Sequence, residues 1–465
     1  MRIKLAKTEL IHFVGIGGIG MSGLALIMNS LGFKIRGSDA NNNKNIERLK
    51  KNKIKIIIGH KKKNIKKSTI LVVSSAIKKN NPEYKEALKK KIPIYKRGEV
   101  LGHIVSLMNN IAVAGSHGKT TTTSLISNIF TKTNLDPTII NGGIINSLGS
   151  SAKLGKSDWC ILETDESDGS FLKIPKTYSI ATNIDEEHMD YYKNLNNLKK
   201  NFTLFIDKTP SFGKSFLCID DKNIKNILKK INHKNFLTYG LDKNSNYRIY
   251  NVRQNIDNSI FNLSITLPGL KKKIIKNIKI PMIGIHNVKN ATASFAVTNT
   301  IGISVALIKK GLNEFKGVQR RFNKLFTFRE SVFYDDYAHH PTEIEEVLNG
   351  VKDVCSDKKI VCVFQPHRIS RLKFLRKKFV SAFKKADTVL LCPVYKAGES
   401  ISLGFSYKKF ANEIISKSKV KLILIKNQNE LLKYTKKNIY GQKIVIGMGA
   451  GSISSWMRDL KKILK

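Results

Sequence analysis

Ile111-Ala112-Val113-Ala114-Gly115-Ser116-His117-Gly118-Lys119-Thr120-Thr121-Thr122-Thr123 decides how this chain is read. Four apolar residues predict a strand, the two glycines a turn, and the residues from Lys119 to about Thr133 a helix. In such a strand–loop–helix, backbone amides cradle phosphates, the lysine reaches the β and γ oxygens, and the following threonine hydroxyl ligates Mg2+. Gly115, Ser116, His117, Gly118, Lys119, Thr120 and Thr121 are therefore candidate ATP contacts. The usual phosphate loop has four residues between its glycines; this one has two.

Upstream, Gly15-Ile16-Gly17-Gly18-Ile19-Gly20 follows a predicted strand, Leu10–Val14, and opens a helix. Glycines there allow a tight turn and close approach of amides to a diphosphate on the helix N-terminus. Asp39 ends the next strand, about where a ribose-binding acid would sit. Alone, this pattern points to NAD. Together the two turns say more. A dehydrogenase needs no γ-phosphate lysine, and a simple ATPase needs no second nucleotide site. A ligase that takes a nucleotide-linked substrate and ATP needs both.

At 465 residues, a prior of roughly 150 residues per domain suggests about three domains. Strands at Leu10–Val14, Lys34–Arg36, Ile54–Ile58, Ile70–Val73 and Ile92–Tyr95 alternate with helical stretches, which argues for a parallel sheet. The second unit adds strands at Trp159–Glu163 and Tyr178–Thr182, and a smaller appended sheet is expected over Phe216–Leu267. The third has strands at Val332–Tyr334, Ile360–Phe364, Val389–Pro393, Leu422–Ile425 and Ile444–Ile446. The expected fold is α/β in three domains: a Rossmann-like domain over 1–109, a P-loop ATPase-like domain over 110–319 and a second Rossmann-like domain over 320–465.

Net charge is +47 and 41% of residues are hydrophobic. The lysines run the whole length, as in Lys50–Lys55, Lys61–Lys67, Lys271–Lys276 and Lys461–Lys465, beside abundant Asn and Ile. That is the drift of an AT-rich genome rather than one concentrated polyanion-binding patch. A nucleic-acid-binding ATPase stays as the alternative from another class, and the excess charge can raise the encounter rate of a polyphosphate. No apolar run reaches the roughly 18 residues of a membrane helix, and Met1–Gly20 lacks the features of a secretory signal. Cys160, Cys218, Cys355, Cys362 and Cys392 are scattered with no C-x-x-C pair, so a reducing cytoplasm is expected.

Acids are scarce, which gives weight to Glu163-Thr164-Asp165-Glu166-Ser167-Asp168 and Thr182-Asn183-Ile184-Asp185-Glu186-Glu187-His188-Met189-Asp190, each after a strand. Carboxylates beside an ATP loop are natural Mg2+ ligands. His188 reads as a ligand to a second metal, or as a capping or core histidine. In the last third, Arg320-Arg321, Asp335-Asp336-Tyr337-Ala338-His339-His340-Pro341 and Gln365-Pro366-His367-Arg368-Ile369-Ser370-Arg371 lie at strand ends, where ligand groups of open α/β sheets collect. Arginine there suits a carboxylate held in bidentate fashion. Gly447-Met448-Gly449-Ala450-Gly451-Ser452 reads as a tight strand-to-helix turn.

With these motifs in order, the chain resembles the Mur ligase family over essentially its whole length. Further carriers are His12–Met21, Gly284-Ile285-His286-Asn287-Val288-Lys289-Asn290-Ala291 and Arg320-Arg321-Phe322. The resemblance implies that the first domain binds UDP rather than NAD. It implies ATP-dependent joining of L-alanine to the carboxylate of UDP-N-acetylmuramate in peptidoglycan synthesis; the alternative within the family is recycling of a muramyl tripeptide. Gly17, Gly18, Ser38, Asp39, Ser74, Ser75 and Arg97 would line the UDP-sugar site. Thr120, Glu163 and His188 would hold Mg2+, and Lys119 the phosphates. His286, Asn287 and Asn290 would lie against adenine, with Arg321 and Asp336 reaching the nucleotide. Tyr337, His339, Arg368 and Arg371 would receive the alanine. Lys119, Glu163, His188, His339 and Arg368 would carry catalysis. Small-molecule partners, no membrane and a monomer or weak homodimer are expected. Closure of the third domain over the second, hinged near Gly317–Phe322, would exclude water. Thr164, where alanine is commoner, and Val318-Gln319, where small residues are expected, depart from the pattern.

Overall fold

The computed structural model describes residues 9–232, 235–399 and 405–464, so the start of the Met1–Gly20 stretch and Lys465 lie outside the described residues. Three sheets form the scaffold. In the first, five strands stand in the order Lys55–Ile58, Lys34–Asp39, Leu10–Val14, Ile70–Val73, Ile94–Lys96, all parallel. The last begins after Pro93, which has no N–H to give a ladder. The glycine turn links Leu10–Val14 to helix Ile19–Ser30.

The second sheet has ten strands, with Asn109–Ala114 between Tyr178–Ala181 and Trp159–Glu163, parallel to both. The separate small sheet expected over Phe216–Leu267 is corrected here. Lys214–Cys218 pairs in parallel with Tyr178–Ala181, and Phe236–Gly240 pairs with Lys214–Cys218, so these strands continue the same ladder. A helix, Lys222–Ile227, interrupts them, capped by the Asp221 carboxylate on the Ile224 amide at 2.8 Å. Apolar periodicity marks a strand without saying which edge it joins. Strands Thr138–Ile145, Ser150–Lys153, Lys273–Ile280 and Asn323–Phe328 were not foreseen.

The third sheet runs Asn323–Phe328, Ser331–Asp336, Lys443–Met448, Lys359–Phe364, Thr388–Leu391, Lys421–Leu424; only the first pair is antiparallel. Alternate residues feed two cores. Tyr334, Ile360, Cys362, Ile444 and Ile446 face one, and Phe333, Val361, Val363 and Val445 the other. That period of two, apolar on both faces, belongs to a sheet covered by helices on both sides. Parallel strands put the ends at Asp336, Phe364, Leu391 and Met448 on one edge.

By compactness the chain divides into two units, Met1–Val252 with Phe261–Ile280 and Lys289–Lys316, and Arg253–Ile260 with Pro281–Val288 and Gly317–Lys465. Both glycine turns belong to the first. Within it Gly98 meets Ser170, where an added Cβ would come within 2.6 Å of the serine Cβ. Among the described residues, no helix is long and apolar enough to cross a membrane. The five cysteines are buried and free.

Lys176 is an unusual core residue. It is 7% exposed, its ammonium 4.4 Å from the centre of the Phe205 ring. Burial, helped by Lys208, pushes its pKa down to about 7. The unfolded chain, with an ordinary lysine near 10.4, therefore binds an extra proton between those values. Stability from this group rises with pH across that window, and the penalty is full below about pH 7. Lys176→Met is expected to stabilise the fold at pH 7 by on the order of 3 kcal/mol, a gain that disappears towards pH 10. Urea melts across that range check it.

Candidate active site

The phosphate loop is built by what it touches. Gly115 has φ +143°, and a Cβ there would stand 1.9 Å from the Thr182 hydroxyl. Gly118, in the left-handed region at φ +83°, caps helix Lys119–Phe130 and lies against the Asn290 amide. The segment Thr182–Asp185 clamps the loop from the side. Asn183 takes the His117 amide at 2.8 Å on its side chain and the Ser116 amide at 3.1 Å on its carbonyl. The Thr182 hydroxyl donates to the His117 carbonyl at 2.6 Å, and His117 stands 3.2 Å from Asp185. Two loop amides are thus occupied, and the amides of the first helical turn, Lys119 to Thr121, have no acceptor within the helix. The following helix is almost wholly buried although rich in Thr and Ser, and Ser124 and Ser127 return their hydroxyls to the carbonyls of Thr120 and Thr123 at 2.7 Å.

Lys119 curls back onto its own loop. Its ammonium contacts the Gly115 carbonyl, reaches the Ser116 carbonyl at 3.2 Å and pairs with Glu166 at 2.9 Å. Burial opposes its charge, but Glu166, Glu163 and Asp165 outweigh it and raise the pKa above the ordinary value. Glu163 accepts the Gly142 amide at 2.7 Å. His188, at φ +57°, puts Nε2 at 3.8 Å from Glu166. A threonine hydroxyl, two carboxylates and an imidazole make a mostly oxygen donor set, and Glu166 Oε2 is buried with no hydrogen-bond partner. These residues fit a hard divalent cation. Thr164 donates its hydroxyl to the Val113 carbonyl at 2.9 Å, which explains how a residue larger than alanine fits.

Around the first glycine turn, Ser38, Asp39 and Arg97 each have a partner within the protein. The hydroxyl of Ser38, fully buried, donates to Glu83 at 2.6 Å, and its carbonyl accepts the Gly15 and Ile16 amides. Ser38 shapes the turn instead of presenting its hydroxyl at the surface. Burial pushes Glu83 up, but bonds from His12, Ser38 and Asn64 outweigh it and hold it at about 2. Asp39 takes the Gly17 amide at 2.8 Å. Arg97 lies under Gly20 and donates to Asp165 at 3.0 Å, joining the first glycine turn to the acidic loop within one unit. Ser74 follows the strand end with its amide on the Val14 carbonyl, and Ser75 is exposed beside it.

Of the adenine candidates, Asn290 falls in the first unit against Gly118, whereas His286 and Asn287 fall in the second. There His286 Nδ1 is 3.3 Å from Glu346, and Asn287 donates to the Ile283 carbonyl at 2.7 Å.

In the second unit the strand ends assemble rings and cations. Asp336, 4% exposed, accepts the Phe322 and Ala338 amides at 2.7 Å and so fixes the turn carrying Arg321. Burial pushes its pKa up against the pull of Arg321. Arg320 lies 4.6 Å over the Tyr337 ring. His339 is edge-on to Tyr337 and to His367, which stacks on Tyr395 at 5.7 Å. Arg371 reaches His367 at 3.1 Å. Arg368 is exposed at φ +65°, its amide on the Tyr395 carbonyl at 2.9 Å. Glu343 takes the His339 amide at 3.1 Å and caps the helix that Pro341 starts. Glu343 and Tyr395 were missed as site residues. Glu343 lies two residues beyond the Asp335–Pro341 motif, and Tyr395 has no pattern around it.

Three family descriptions match in order: "Mur ligase family, catalytic domain" over residues 10–108, "Mur ligase middle domain" over 113–298 and "Mur ligase, glutamate ligase domain" over 320–451. A UDP-N-acetylmuramate–L-alanine ligase of Pelagibacter ubique is 63% identical over 464 residues, covering 100% of both chains. The chain belongs to the Mur ligase family. A ligase of the same name from Rickettsia bellii is 42% identical, covering 98% of each chain. The crystal structure of the UDP-N-acetylmuramate–alanine ligase of Thermotoga maritima matches with a TM-score of 0.82 at 27% identity, over 97% of this chain and 98% of that one. The murein peptide ligase of Psychrobacter arcticus, at 21% identity and a TM-score of 0.73 over 98% of each chain, shares the fold. As a Mur ligase the chain is an ATP-dependent, amide-bond-forming enzyme.

Proposed function

We propose that this enzyme joins L-alanine to the lactyl carboxylate of UDP-N-acetylmuramate, with ATP converted to ADP and phosphate, in the cytoplasm. The observation that carries the reading lies within one compact unit: the Arg97–Asp165 pair, at 3.0 Å, ties the first glycine turn to the acidic loop, whose Glu166 in turn holds Lys119 of the second turn at 2.9 Å. One turn serves the UDP-linked acid and the other the triphosphate. The domain partition 1–109, 110–319 and 320–465 belongs to the same proposal.

A carboxylate is a poor electrophile, so it must first be activated. The muramate carboxylate attacks the γ-phosphorus, the bond to the β,γ-bridging oxygen breaks, and ADP departs with that oxygen while the acyl phosphate remains. The alanine amine then attacks the acyl carbon, loses its proton and expels phosphate. Lys119 places its charge on the transferred phosphoryl group, and the amides of Lys119–Thr121 hold the phosphates in line. Mg2+, held by Thr120, Glu163 and His188, would neutralise phosphate charge. Arg368 and Arg371 receive the alanine carboxylate beside the His339 and His367 rings. Arg371→Lys removes the fork that grips a carboxylate at two points. It is expected to raise the alanine KM about tenfold or more with a smaller change in kcat. Initial rates at varied alanine measure it.

The test of the reading is phosphate release from ATP and UDP-N-acetylmuramate, amino acid by amino acid, with the muramyl tripeptide as competitor. L-Alanine should give the highest kcat/KM. A preference for the tripeptide would favour the recycling ligase. ATP turnover that responds to DNA or RNA and falls steeply with salt would favour the nucleic-acid alternative.

A further inference from the structure

Glu166 occupies a position that the reaction above leaves unexplained. Its side chain is 1% exposed. Oε1 pairs with Lys119 at 2.9 Å and stands 3.8 Å from His188 Nε2, while Oε2 is buried with no hydrogen-bond partner. Its backbone is anchored, because the Tyr192 hydroxyl donates to its carbonyl. Lys119 thus directs its ammonium to Glu166 and to two carbonyls of its own loop.

We infer that Glu166 is a positioning residue that exchanges partners: it parks Lys119 while the loop is empty and gives it up to the triphosphate. The inference rests on the ATP site proposed above. Once Lys119 turns to the phosphates, a buried carboxylate is left without its cation, and an uncompensated buried charge is strongly unfavourable. The divalent cation that arrives with the nucleotide restores the balance. Glu166 therefore makes nucleotide binding depend on the metal: ATP alone strands the carboxylate, whereas metal-bound ATP does not.

The measurement is the ATP dissociation constant with EDTA and with Mg2+, for wild type and for Glu166→Gln. In the wild type the EDTA value should greatly exceed the Mg2+ value. In Glu166→Gln metal-free ATP should bind more tightly, and the ratio of the two constants should fall about tenfold or more. A merely structural role would move both constants together, and an unchanged ratio overturns the inference. Should the variant fold poorly, a structure of the wild type with Mg2+ and a non-hydrolysable ATP analogue decides the matter. Lys119 on the phosphates and away from Glu166 supports the exchange; the 2.9 Å pair retained beside bound phosphates refutes it. A wild type that binds ATP under neither condition would instead fail the ATP site itself.

Discussion

Lys119→Ala is expected to lower ATP-dependent amide formation by about 10³-fold or more, with both substrates still able to bind. The size follows from geometry. The ammonium is mostly buried, surrounded by Glu166, Glu163 and Asp165, and its pKa is raised, so it is fully charged at any working pH. A charge held in a site of low dielectric is worth far more to developing phosphoryl charge than one in water. Alanine leaves Glu166 buried and unpaired as well, so a melting curve should accompany the rates. A variant that retains near-normal ligation would remove Lys119 from the chemistry.

Gly115→Ala should be nearly as damaging, with a fall of about 10²-fold or more in kcat/KM for ATP. Two independent reasons combine. The backbone there, at φ +143°, is one that side chains rarely adopt, and the new Cβ would overlap the Thr182 hydroxyl at 1.9 Å. Thr182 is fixed by the His117 carbonyl, so the loop is the part that has to move. Moving it shifts the N-terminus of helix Lys119–Phe130, where the proposed phosphate site lies. Steady-state kinetics at varied ATP, beside the same assay at varied UDP-N-acetylmuramate, should show the loss concentrated on ATP.

The fold was legible because its signals are local. Each glycine turn is preceded by an apolar strand and followed by a helix, and Pro341 marks a helix start. The ten-stranded sheet was harder to read. Whether Lys214–Cys218 opens a new sheet or extends an old one depends on its neighbour Tyr178–Ala181, far away in sequence. Side-chain destinations were equally hidden. The Ser38 hydroxyl donates to Glu83, a helix residue 45 positions on, a pairing that no spacing in the sequence announces. Glu166 could be quoted among the acids, but only the fold brings it to Lys119 across 47 residues. Spacing tells which residues share an element; it does not tell which side chains meet.

Transfer of a carboxylate oxygen to phosphate is the central step of the proposed reaction. UDP-N-acetylmuramate labelled with ¹⁸O in its lactyl carboxylate, incubated with enzyme, ATP and L-alanine, should yield inorganic phosphate carrying one ¹⁸O, visible as a shifted ³¹P resonance, in step with amide formed. Phosphate without label, or released without amide, would contradict it.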